Sequence, residues 1–194
     1  MVTIDSNGAR VIVNDGETIE VRDGKTAEVL AGGKAIVSQG GRADVRTGGN
    51  ATVISGGVVS VHYGETEVFA DGKAYVYEGG SADVQSGGKA FVCDGGNAAV
   101  YDGGELIVYD GGEAEIYAGG KADVFEGGTA HVKDGGSAEV YAGGNAVVHD
   151  GGFAVVHDGS HVEVQEGGMT VRYEETIESE QTDRDVDEVV GRRR

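Results

Sequence analysis

From Gly8 to Glu174 the chain repeats one eight-residue pattern of apolar and polar positions, 21 times over. In its clearest copies a glycine pair fills the first two positions, alanine the fourth and valine the sixth. The third, fifth and seventh positions vary and are mostly polar. GGKAIVSQ (32–39), GGRADVRT (40–47) and GGNAAVYD (95–102) show the form. Valine holds the sixth position in 19 units, Ile116 and Arg172 being the exceptions. Alanine holds the fourth in 14, with Val11, Ile19, Val59, Thr66, Leu106, Val162 and Thr170 in the rest. One unit, GGVVSVH (56–62), is a residue short, and the register resumes at Tyr63 and Gly64.

Small or branched apolar residues two apart, with polar residues beside and between them, are the period-two signature of a strand with one buried face. The alanine and valine of each unit are expected to point inward. The glycine pair is expected to supply left-handed backbone for a tight reversal. A strand of this length is not stable alone, so units must stack. With two units per coil, the alanine of one sheet faces the valine of the other, and a thin core stays filled. Three units per coil would leave a central void for side chains this small. The expected fold is all-β: a single-stranded parallel β-solenoid of two sheets, about 16 residues per coil and about ten coils, roughly 50 Å long.

The organisation expected is an N-terminal cap over residues 1–7, the solenoid over 8–174 and a charged C-terminal cap or tail over 175–194. Val2 and Ile4 are placed to cover the first coil. The tail ETIESEQTDRDVDEVVGRRR carries sparse apolar residues at Ile177, Val186, Val189 and Val190.

On its GGxAxV units the chain resembles the glycine-rich repeats of AIDA-type autotransporter adhesin passengers, which form β-solenoids. More distantly it is similar to the β-roll of RTX proteins, whose nonapeptide GGxGxDxUx binds calcium. The resemblance implies the solenoid fold over residues 8–174. It implies no calcium site, because valine stands where the β-roll has its aspartate.

Composition narrows the function classes. The net charge of -19 argues against direct nucleic-acid binding and against docking on anionic lipid. The N-terminus MVTIDSNGARVIV lacks a basic stretch followed by an apolar one, and no apolar run approaches a membrane span. A cytoplasmic or virion-associated location is expected. The single Cys93 excludes an internal disulfide framework.

Catalytic and metal chemistry find little to stand on. No insertion is long enough to wall a cleft, and carboxylates such as Glu113 and Glu115 have no burial to separate their roles. No enzymatic activity, cofactor, metal or small-molecule substrate is expected. His131, His149, His157 and His161 fall on different columns or different sheets and read as surface histidines. The aspartates recurring at the eighth position, among them Asp94, Asp102, Asp110, Asp134, Asp150 and Asp158, are expected to accept hydrogen bonds from turn amides.

Two surface features remain. At 16-residue spacing the seventh position reads Tyr77, Cys93, Tyr109, Phe125, Tyr141, His157 and Tyr173, beside Tyr75, Phe91 and Ile107 at the fifth. Stacking along a sheet accounts for one aromatic column. A second apolar column beside it makes a contiguous exposed strip, the mark of a partner surface. Tyr75, Tyr77, Phe91, Cys93, Ile107, Tyr109, Phe125 and Tyr141 are therefore the expected surface for a protein partner or a homodimer.

The second feature is charge. Residues 8–62 carry six acidic and six basic groups, whereas 63–174 carry 20 acidic and five basic. Glu65, Glu67, Asp83, Glu113, Glu115, Asp123, Glu139 and Glu163 are the expected acidic face. The leading expectation is a non-enzymatic interaction protein. An acidic, nucleic-acid-mimicking inhibitor of phage type is the alternative, and a structural fibre or virion component a third.

Overall fold

The computed structural model describes residues 3–4 and 10–173, and among these it contains strands and turns but no helix. Two parallel sheets wind into a β-solenoid of about ten turns. The front sheet has 12 strands, and the back sheet has 10. Successive strands alternate between them, so each strand pairs with the next but one. Lys89–Val92 on the front sheet lies between Lys73–Val76 and Glu105–Val108, every partner 16 residues away. Asn97–Val100 holds the matching place on the back sheet, between Ser81–Val84 and Glu113–Ile116.

Each strand covers the third to sixth positions of its unit. The fourth and sixth point inward. From Val13 to Val148 the sixth-position side chains are 0–2% exposed, and the alanines at the fourth are at most 5% exposed. The two sheets thus close on a dry seam of valine and alanine, stabilised by removing roughly 25 cal/mol of apolar contact with water per Å². Thr66 is the polar exception among these inward positions, and its hydroxyl donates to the Ala51 carbonyl at 3.0 Å. A buried hydroxyl needs such a partner.

The two glycines of a turn do different jobs, which corrects the expectation that both serve left-handed backbone. Only the first is left-handed, as at Gly95 (φ 69°) and Gly111 (φ 71°). The second lets neighbouring coils touch: a Cβ on Gly112 would stand 2.7 Å from the Val92 carbonyl oxygen of the coil before. Tyr63 (φ 57°) and Asp71 (φ 62°) occupy the left-handed position without being glycine.

The eighth-position aspartates do not hold the turn amides either. The Gly95 amide donates to the Gly111 carbonyl one coil on, at 3.0 Å, and the Gly96 amide to the Cys93 carbonyl at 2.8 Å. Backbone carbonyls thus hold both glycine amides of this turn. The carboxylates of Asp94, Asp102 and Asp110 lie instead over Gly111, Gly119 and Gly127, where a side chain would collide with them.

The short unit costs no strand. Val58–Val61 pairs with Lys73–Val76 at a spacing of 15, with all four residues in register. The deletion is taken up in the turn at Tyr63 and Gly64.

At the N-terminal end Thr3–Ile4 pairs antiparallel with Arg10–Val13, which blocks further parallel addition at that edge. At the other end the core opens: Val164 is 44% exposed. The expected covering role of Val2 and the expected tail over 175–194 lie outside the described residues.

Candidate interaction surface

The outer face of the front sheet carries the third, fifth and seventh positions of alternate units, side by side along each strand. In-register pairing places Tyr75, Phe91 and Ile107 in one fifth-position column. Tyr75 and Phe91 stack with ring centroids 4.9 Å apart and planes at 11°. The seventh-position column beside it continues as a ladder. Tyr109 stacks on Phe125 at 5.7 Å, Phe125 on Tyr141 at 4.7 Å, and Tyr141 on His157 at 4.6 Å. Parallel pairing repeats side chains at the rise of one coil, close to a ring-stacking distance, and the sheet therefore orders the rings.

All eight residues expected to form a partner surface lie on this one face. Neighbouring rings cover each other, leaving most of them half-buried and Tyr109 42% exposed. Cys93 interrupts the ladder between Tyr77 and Tyr109. Its thiol is free and half-buried, and burial pushes its pKa up, which disfavours the reactive thiolate.

The ladder is longer than the 16-residue spacing indicates. His62 stacks on Tyr77 at 4.6 Å with planes at 6°. The short unit puts His62 15 residues away, out of step with the column.

The acidic residues do not share one face. Glu65, Glu67, Asp83, Glu113, Glu115 and Glu163 stand on the back sheet, but Asp123 and Glu139 stand on the front sheet, below Ile107 in the fifth-position column. Burial, then the neighbouring Glu139, push the Asp123 carboxyl above its ordinary range. Glu139 accepts a 2.7 Å hydrogen bond from His157 Nε2.

On the back sheet, Glu65, Glu67 and Asp83 line a shallow trough of about 550 Å³ together with Thr18, Lys34 and Asn50. A second trough of about 290 Å³, holding Glu113, Glu115 and His131, adjoins it at Ser81 and Asp83. A tyrosine pair that spacing alone could have found sits at its margin: Tyr101 stacks on Tyr117 at 5.1 Å. Tyr117 Oη donates to Glu115 Oε2 at 2.6 Å. That bond, with burial and the carboxylate charge, pushes the phenol up to about 12.

His131, His149 and His161 share the back sheet, whereas His157, like His62, stands on the front. Lys133 Nζ donates to His149 Nε2 at 3.4 Å, and His149 Nδ1 donates to Gln165 at 2.8 Å. Among the described residues no three His, Cys, Asp or Glu side chains gather as a metal site, and no helix is long and apolar enough to cross a membrane.

No protein-family model matches the chain, and no curated protein matches it. Among solved structures it is similar to the TibC-catalyzed hyper-glycosylated TibA55-350 fragment. The two are 23% identical, the match covers 88% of this chain and 94% of that one, and the TM-score is 0.32. A superposition that loose bears on nothing beyond itself, and the fold stands on the strand pairing.

Proposed function

We propose that the chain is a non-enzymatic interaction protein that associates, with a second copy or another macromolecule, through the outer face of the front sheet. One observation carries the reading: two adjacent columns, Tyr75–Phe91–Ile107 and Tyr77–Cys93–Tyr109, set apolar side chains side by side on the outer face of a chain with net charge -19. One ladder would suffice to stabilise parallel strands; a second column beside it adds exposed apolar surface without adding to the core. The solenoid holds this patch on a rigid, pre-ordered sheet, which lowers the entropy cost of binding.

The double variant Phe91→Asp, Tyr109→Asp tests it. Both side chains face outward, so the fold, followed by circular dichroism, should survive while association is lost. A folded double variant that associates as the wild type does would overturn the reading.

A further inference from the structure

Charge is distributed unequally across the front face. Its third-position border carries the lysines of the face, Lys73, Lys89 and Lys121 in one column, interrupted by Glu105, which bridges to Lys89 at 3.3 Å, and flanked by Asp71, which lines a trough with Lys73 and Lys89. The opposite border, at the turn after the aromatic ladder, is acidic: Glu78, Asp94, Asp110 and Glu126. That this second border rims the same surface is visible at Glu126 and Asp158. They line one trough of about 630 Å³ with Tyr109, Phe125, Tyr141 and Tyr173. Along Lys73–Val76 and its turn the face reads basic, aromatic, aromatic, acidic, and along Lys89–Val92 basic, aromatic, thiol, acidic.

A surface with opposite charges on its two borders is complementary to itself in one orientation. A two-fold axis along the rod exchanges the borders, laying each lysine column on the partner's acidic column. A two-fold along the strands would set lysine on lysine and acid on acid. We infer that the occupant of this face is a second copy of the chain, packed front to front with the rods side by side and parallel. The inference rests on the reading of the front sheet as the association surface, and adds the partner and its orientation.

The same exchange swaps the fifth and seventh columns. Phe91 of each copy then meets the break in the ladder at Cys93 of the other. A missing ring becomes a socket.

Size fits as well. Six positions at ~3.3 Å make the face about 20 Å wide, and the seven coils of the ladder at ~4.8 Å make it about 34 Å long. Each copy would bury about 700 Å², towards the lower end of stable specific interfaces. Isologous packing of this kind closes at two copies.

Charge reversal tests the orientation by sedimentation equilibrium. The acid-bordered variant carries Lys73→Glu, Lys89→Glu and Lys121→Glu; the base-bordered variant carries Glu78→Lys, Asp94→Lys, Asp110→Lys and Glu126→Lys. The wild type should dimerise, each variant alone should dimerise at least tenfold more weakly, and an equimolar mixture of the two should recover the dimer. Recovery also shows that both variants fold. The acid-bordered variant should bind the wild type less tightly than the wild type binds itself. Tighter binding would mean lysine faces lysine in the natural dimer and would overturn the parallel arrangement. A wild type that stays monomeric while the face still binds a different protein would overturn the second copy as occupant and leave the association surface standing. Dimers indifferent to both reversals would overturn the inference.

Discussion

The rings of Tyr75 and Phe91, one coil apart, lie nearly parallel at 4.9 Å, and Lys89 Nζ stands 5.9 Å from the Phe91 centroid. Beside Phe91, Cys93 leaves the next column without a ring. Phe91 carries a ring where its neighbour Cys93 carries none, and that difference is the basis of the first prediction.

Cys93→Tyr fills the gap and completes the ladder from His62 to Tyr173. It should stabilise the folded chain by about 1 kcal/mol, the worth of added aromatic pairs. It should also weaken association, because the socket for Phe91 is gone. Thermal unfolding and solution mass check the two halves. A variant that is more stable and associates more tightly would show that the gap has no role in binding.

The two glycine positions of the turn predict opposite effects from gaining and losing a side chain. Gly112→Ala puts a methyl group 2.7 Å from the Val92 carbonyl oxygen and should cost more than about 2 kcal/mol, since coil spacing is fixed by the ladder. Asp71→Gly relieves a left-handed backbone at φ 62° and should gain up to about 1 kcal/mol. Denaturant melts of the two variants give both signs. A neutral Gly112→Ala would mean the coils are looser than this packing requires.

Tyr117 predicts a pH effect. Its phenol is pushed up to about 12, first by the hydrogen bond to Glu115, so the folded pKa exceeds the unfolded one near ~10. The folded state therefore keeps a proton that the unfolded state releases. The contribution to stability is complete below the unfolded pKa and is lost as pH rises towards about 12. In an absorbance titration of the folded chain, Tyr117→Phe should remove a phenol from the top of the range. Glu115→Gln should bring that phenol down. If neither substitution alters the upper limb, the bond does not persist in solution.

Much of this architecture was legible in the sequence because its cause is local. The alternation of alanine and valine fixes which side chains go inside, glycine spacing fixes the eight-residue unit, and the small size of the inward side chains limits the coil to two units. What escaped depends on the coil above or below. The second glycine of each pair is needed because the backbone 20 residues earlier crosses its Cα, as Val92 does at Gly112. The aspartates lie over the next coil's glycine for the same reason. His62 was missed because one deleted residue put it out of step with its column. Asp123 and Glu139 were grouped with carboxylates that the winding places on the opposite sheet: unit parity, not charge, decides which face a residue joins.

The most direct test of the front sheet as an association surface is the solution mass of the wild type beside Phe91→Asp, Tyr109→Asp, measured by sedimentation equilibrium across a micromolar concentration series. The wild type should rise towards twice its chain mass of 19.8 kDa, or to the mass of a complex when its partner is supplied, while the double variant stays at 19.8 kDa with unchanged circular dichroism. Identical curves for the two proteins, with or without partner, would contradict the account.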